Sequence, residues 1–201
     1  MTKDEEYSCS AFAINLAKVC LYMTDNNAGF YEHLGFLSRE EQNRLLREII
    51  YFRCSAVHLK ITKEIRDADK KDMIAFIFRD KIRDDLRLPN GEILENKIRY
   101  YAQDNAENEY MSDRITKNAH LSKESESDLF FKFPLYADNF TKFDMTIEKM
   151  FEYFLADPET KRRIIESDKG FQQYQRTKEQ NRTGCFVIIA IVALIIYFIM
   201  S

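Results

Sequence analysis

The sequence GCFVIIAIVALIIYFIMS, at residues 184–201, is almost entirely apolar. From Cys185 to Met200 it contains sixteen consecutive apolar residues and no charge. As a helix, 184–201 would measure roughly 27 Å at about 1.5 Å per residue. The hydrocarbon core of a bilayer is about 30 Å thick, and a slightly short span is accommodated by local thinning. This stretch therefore predicts a transmembrane helix.

A buried helix inside a globular domain is the alternative for this stretch. A helix that is apolar on every side would need protein around its whole circumference. A domain of about 180 residues seldom supplies that cover to a terminal helix. A secretory signal peptide would lie at the N-terminus instead. We therefore expect seventeen residues to form the membrane anchor: Gly184, Cys185, Phe186, Val187, Ile188, Ile189, Ala190, Ile191, Val192, Ala193, Leu194, Ile195, Ile196, Tyr197, Phe198, Ile199 and Met200.

Basic residues precede the apolar stretch. Between 161 and 182, seven basic and three acidic side chains give a net charge of +4, whereas the preceding 160 residues carry −7. Basic residues beside a span remain on the cytoplasmic side and interact with anionic headgroups. A solvated helix face is the alternative explanation of these charges. We expect six of them to face headgroups: Lys161, Arg162, Arg163, Arg176, Lys178 and Arg182.

This layout resembles that of tail-anchored, single-pass membrane proteins, which expose an N-terminal domain to the cytoplasm. The resemblance covers 184–201 and the basic flank, and it implies topology but not activity. The layout is also similar to that of Bcl-2-like regulators, although the Asn-Trp-Gly-Arg signature is missing and the chain has no Trp. A membrane-fusion SNARE would need a longer and more periodic helix than 158–181 before its anchor.

Apolar residues recur at helical spacing through most of the remaining chain. We predict an all-α fold, with a cytoplasmic helical bundle at 1–157, a basic juxtamembrane helix at 158–183 and a single C-terminal transmembrane helix, the tail anchor, at 184–201. The predicted helices cover 8–24, 39–64, 70–86, 92–101, 105–119, 139–155 and 158–181.

Local sequence signals place some of the helix ends. Ser38 and Glu41 form a capping-box pattern, and Asp157 followed by Pro158 suits an N-cap and first helical residue. The residues from 105 to 119 are predicted as an exposed helix. The polar stretch 123–128 is predicted to be a mobile loop. Pro134 is expected to interrupt the next segment, 129–136, which is rich in aromatic residues.

No catalytic motif emerges from the sequence. The five glycines form no phosphate-binding loop and the three histidines fit no metal-ligand pattern, so we expect no cofactor and no metal site. Cys54 and His58 lie four residues apart, but nothing in the pattern would orient them as a nucleophile and base. Arg44, Arg47 and Glu48 alternate in sign as a solvated helix face does.

The leading functional hypothesis is an interaction or regulatory module at a membrane surface, with the bilayer and an unidentified protein as partners. The acidic N-terminal part argues against nucleic-acid binding. A membrane-surface enzyme and a subunit of a larger membrane complex are the alternatives. A polar pocket that gathers Arg53, His58 and acids from other helices would favour the enzyme, whereas an apolar interior would favour the interaction module. The sequence does not specify which membrane is the target.

Overall fold

The computed structural model describes residues 1–22, 34–88, 91–103, 111–131 and 133–166. These residues form helices, with no strand among them, which confirms the predicted all-α class. The expected anchor, 184–200, lies outside the described residues, and no helix within them is long and apolar enough to cross a bilayer. The helices are α1 (Lys3–Tyr22), α2 (Arg39–Glu64), α3 (Ala68–Asp85), α4 (Gly91–Ala102), α5 (Met111–Ala119), α6 (Lys123–Phe131), α7 (Phe133–Leu155) and α8 (158–166).

The chain divides into two compact units, Met1–Phe151 and Glu152–Ser201. The first unit contains α1 to α6 and most of α7. The described part of the second unit is 152–166, which comprises the last turn of α7 and the described residues of α8.

Helix α2 lies at the centre of the first unit. Helices α1, α3, α4 and α5 each pack against it, and α1 and α3 also pack along each other. Helix α5, predicted to be exposed, instead buries Ile115 and Ala119. A helix with solvent on one side buries only a stripe, whereas α2 is covered on most of its circumference. Its buried apolar side chains include Leu45, Ile49, Cys54, Val57 and Ile61.

Capping boxes set the beginning of α1 and α2. Ser38 Oγ accepts from the backbone N–H of Glu41 at 3.2 Å, and the Glu41 carboxylate accepts from the N–H of Ser38 at 3.1 Å, which confirms the predicted box. Thr2 and Glu5 make the same reciprocal pair, at 3.3 and 2.9 Å. Because this second box satisfies two backbone donors, α1 begins at Lys3, five residues before the predicted start.

Helix α6 occupies the stretch 123–128, so the loop predicted there was wrong. Ser122 acts as the N-cap by accepting from the N–H of Ser125 at 3.2 Å. The backbone N–H of Ser122 donates to the Glu41 carboxylate on α2 at 3.0 Å. Acidic residues in the first turn of a helix are favoured by its dipole, so the polarity of this segment belongs to a helix N-terminus.

Helix α7 begins at Phe133, six residues before the predicted start at 139. Pro134 is its second residue and does not interrupt it, because the N–H that proline lacks would have no helical partner in the first turn. The helix packs against α1 through Phe151. The ring of Phe151 contacts that of Phe12 edge to face, with the ring centroids 5.1 Å apart.

Candidate functional site

The described part of the predicted basic segment is α8, which begins at an Asp157 cap. The Oδ1 atom of Asp157 accepts from the N–H groups of Glu159, at 2.9 Å, and Thr160, at 3.0 Å, and its Oδ2 accepts from the Thr160 hydroxyl at 2.7 Å. The bonds from Thr160 hold the pKa of Asp157 below its usual value of 3.8. The predicted cap is confirmed, with Pro158 as the first helical residue.

Two arginines expected to face headgroups are exposed on α8. Arg163 pairs with Glu159 at 3.1 Å, and Arg162 lies 4.0 Å from Glu166, each pair one helical turn apart. Exposed pairs of this kind contribute little to stability because water screens them. The guanidinium group of each arginine can therefore exchange its glutamate partner for another anion at a small cost in free energy.

An exposed face of the second unit combines Lys161 with apolar side chains. The Lys161 Nζ atom lies over the ring of Tyr153, 5.8 Å from its centroid. Ile165 follows Lys161 by four residues and so shares its side of α8. Tyr153 and Ile165 are each 40% exposed. Tyr153, Lys161 and Ile165 together form what we call the Tyr153–Ile165 face. The other residues expected at the membrane, Arg176, Lys178, Arg182 and 184–200, lie outside the described residues.

Arg53 and His58 do not share the polar pocket that would have favoured an enzyme. They are five residues apart in α2, so their side chains leave the helix about 140° apart. Arg53 is fully buried, where its Nη1 donates to the carbonyl of Cys20 at 3.4 Å and its guanidinium lies over Phe143, 5.1 Å from the ring centroid. These contacts join α1, α2 and α7 through one side chain.

The Cys54 thiol has the wrong protonation state for a nucleophile. Complete burial, together with a hydrogen bond involving Cys20, raises the pKa of Cys54 well above 9.0. Because the thiolate is the nucleophile, a thiol held protonated in this way is inert. Burial also lowers the pKa of His58 below 6.5, and repulsion from Arg79 adds to this effect.

A partly buried ion pair that was not predicted joins α2 to α4. Glu48, predicted on a solvated face, is only 7% exposed. Its Oε1 accepts from Lys97 Nζ at 2.7 Å and its Oε2 accepts from the Tyr101 hydroxyl at 2.8 Å. Burial and the adjacent Glu48 charge raise the pKa of Tyr101, so the phenol remains a donor. Both carboxylate oxygens thus bind donors of this chain, and the cluster acts as a structural clamp.

A sequence signal for the buried Glu48 did exist. Leu45 precedes it by three residues and Phe52 follows it by four, so Glu48 lies on a helical stripe with two large apolar residues. The charge alternation of Arg44, Arg47 and Glu48 had predicted a solvated face, whereas the spacing of the apolar residues indicates a buried position.

Within the described ranges, no group of three or more His, Cys, Asp or Glu side chains is placed to hold a metal ion. Comparison of the chain with protein-family models, with curated proteins and with solved structures finds no match. Function is therefore inferred from the residues of this chain alone.

Proposed function

We propose that this chain is a membrane-anchored interaction or regulatory module. Residues 184–200 span a bilayer, and the helical units preceding them work at its cytoplasmic surface. The observation that carries the proposal is the run of sixteen apolar residues from Cys185 to Met200. The lack of charge in that run matters because a single Lys at the centre of a span costs about 2.5–3.5 kcal/mol.

The basic flank supports the orientation of the span. The net charge of +4 between 161 and 182 contrasts with −7 in the preceding part of the chain. Basic residues within fifteen to twenty positions of a span are retained on the cytoplasmic side. The exposed guanidinium groups of Arg162 and Arg163 are available to anionic headgroups on that side.

The described interior supports interaction over catalysis. Arg53 and Glu48 both bind groups of the chain itself, and the Cys54 thiol is held protonated. Large aromatic side chains are left at the surface, with Tyr7 79% and Phe76 65% exposed. Because aromatic residues supply much of the binding energy of protein interfaces, these two are the contact anchors that we propose. Confinement to a membrane makes a modest affinity sufficient for a partner on the same surface.

Extraction of cell membranes with alkaline carbonate tests the anchor. We expect the full chain to stay in the membrane pellet. The double variant Ile191→Lys, Leu194→Lys should be released, because two charges at the centre of the span cost about 5–7 kcal/mol. The matched control, Ile191→Leu with Leu194→Ile, keeps the same composition and should stay in the pellet. Release of the unmodified chain would overturn the proposal.

Crosslinking in intact membranes, followed by affinity capture in mild detergent, tests the interaction role. We expect a protein to be recovered with the full chain and to be lost from Tyr7→Glu and Phe76→Glu. The double lysine variant should recover less of it, since it is no longer concentrated on the membrane. Lys63→Glu, which changes an exposed charge on α2, serves as the control. Equal recovery from the full chain and from all four variants would contradict the proposed anchors and the benefit of anchoring.

A further inference from the structure

The Tyr153–Ile165 face has the composition of a helix surface that lies in a membrane interface. Its apolar members are exposed to the same degree, and its charge is carried by a lysine that lies on the tyrosine ring. Tyrosine is enriched at the level of the headgroups because its ring is amphipathic. A lysine there keeps its aliphatic stem in the apolar layer and its ammonium group among the phosphates.

We propose that the Tyr153–Ile165 face inserts into the headgroup region of an anionic bilayer, with Tyr153 and Ile165 at the acyl boundary and Lys161 at the phosphates. This inference rests on the proposed function, because the bilayer is the one that 184–200 enters. It adds a second point of membrane contact, which would hold the second unit against the lipid surface.

Tethering makes this contact attainable for a small face. The connection 167–183 has seventeen residues and spans at most about 60 Å even when fully extended. Anchoring of 184–200 therefore confines the face to a thin layer above the lipid, where its effective concentration is high. The net charge of +4 between 161 and 182 is complementary to anionic lipid and favours this occupant.

The neighbouring charges on α8 favour the same occupant. Among the described residues, Arg162 and Arg163 pair with the exposed, water-screened carboxylates of Glu166 and Glu159 on their own helix. An anionic headgroup can replace either neighbour without leaving a buried charge unpaired, because the carboxylates remain in water. Helices that lie in the plane of a membrane interface carry basic side chains beside exposed apolar ones.

The chain has no tryptophan, so Tyr153→Trp introduces a single reporter within the face. The full chain carrying this substitution is reconstituted into vesicles of phosphatidylcholine and phosphatidylserine, with and without bromine on the acyl chains. We expect blue-shifted emission and at least twofold quenching by the brominated lipid. The full chain carrying Tyr7→Trp is the matched control, because Tyr7 is an exposed aromatic residue of the first unit. Its emission should be red-shifted and unquenched.

Further substitutions in the Tyr153→Trp chain test the other members of the face. Lys161→Glu and Ile165→Asp should each remove at least half of the quenching, whereas Lys149→Glu, an exposed charge reversal outside the face, should leave it unchanged. Blue-shifted emission without quenching would indicate burial against protein and would overturn the lipid contact, as would red-shifted, unquenched emission. Carbonate extraction separates the two proposals. A reporter chain that resists carbonate yet is not quenched defeats this inference alone, whereas release by carbonate defeats both.

Discussion

Arg87 adopts a backbone conformation that is unfavourable for a residue with a Cβ atom. Its φ is 52°, and the left-handed region costs such residues about 1–2 kcal/mol. The conformation closes α3 through two hydrogen bonds: the N–H of Leu88 donates to the carbonyl of Arg83 at 3.0 Å, and that of Arg87 donates to Asp84 at 3.1 Å. These are the two bonds of a Schellman motif, in which glycine is the usual residue at the position of Arg87.

Replacement of Arg87 by glycine should therefore stabilise the fold. We expect Arg87→Gly to raise the free energy of unfolding by about 0.5–1 kcal/mol, since relief of the strain exceeds the added entropy of the unfolded chain. Urea unfolding of the full chain in mild detergent, followed by circular dichroism, measures the change. Arg66→Gly is the matched control, because Arg66 does not have a positive φ. A loss of stability in both variants would contradict strain at Arg87.

His58 makes the stability of the first unit depend on pH. Burial and the nearby Arg79 lower the pKa of its imidazole, although Glu95 opposes them. The unfolded chain therefore takes up this proton at a higher pH than the folded chain does. By linkage, stability falls as the pH drops below the unfolded value of about 6.5, and the loss stops once the pH is below the folded pKa.

Removal of the His58 ring should flatten this dependence. We expect the free energy of unfolding of His58→Gln to fall less than that of the unmodified chain between about pH 7.5 and about pH 5. Urea midpoints across this interval measure the slope. Leu59→Gln, at the exposed residue next to His58, removes no ionisable group and should retain the slope of the unmodified chain. An unchanged slope in His58→Gln would show that the imidazole is not the source.

At the scale of helices, signals within a few residues were readable from the sequence, whereas contacts between helices were not. The Ser38–Glu41 box places both partners within one turn, so its spacing alone predicted the start of α2. Glu48 and Tyr101 are 53 positions apart, and periodicity within α2 contains no information about a donor on α4. Helix α6 was not predicted for the same reason. The Glu41 carboxylate that accepts from the N–H of its N-cap, Ser122, is 81 positions away in the sequence.

The Glu48 clamp should be a measurable link between α2 and α4. We expect Tyr101→Phe to cost about 1.5–3 kcal/mol of unfolding free energy, because it removes a hydrogen bond to a buried carboxylate. The adjacent Tyr100→Phe is the control, since it is the ring of Tyr100 that contacts Arg114. In a Glu48→Gln background, Tyr101→Phe should cost less, because its acceptor is then uncharged. Equal costs for the two tyrosines would contradict the clamp.

For the molecule as a whole, the two candidate membrane contacts differ in how far the sequence could predict them. The anchor at 184–200 is predicted by composition alone, because every side of a lipid-embedded helix must be apolar. The basic residues of α8 could likewise be identified from the sequence alone. The placement of Lys161 over Tyr153 was not, because it depends on how the chain turns between α7 and α8. A partner is harder still to predict, because the exposed aromatic residues carry no signature of what they bind.

The last residue of the first unit, Phe151, should be essential to that unit and irrelevant to anchoring. It packs against Phe12 of α1, and Lys60 of α2 lies over its ring, 5.5 Å from the centroid. We expect Phe151→Ala to cost about 3–5 kcal/mol, which is a large fraction of the 5–15 kcal/mol typical of a domain. Urea unfolding measures the loss, and Met145→Ala, an exposed residue of the same helix, should change stability by less than about 0.5 kcal/mol. Because the proposed anchor is the apolar run itself, Phe151→Ala should still resist carbonate while it loses the partner captured with the full chain. Release of Phe151→Ala by carbonate would mean that retention in the membrane depends on the folded unit and not on the apolar run.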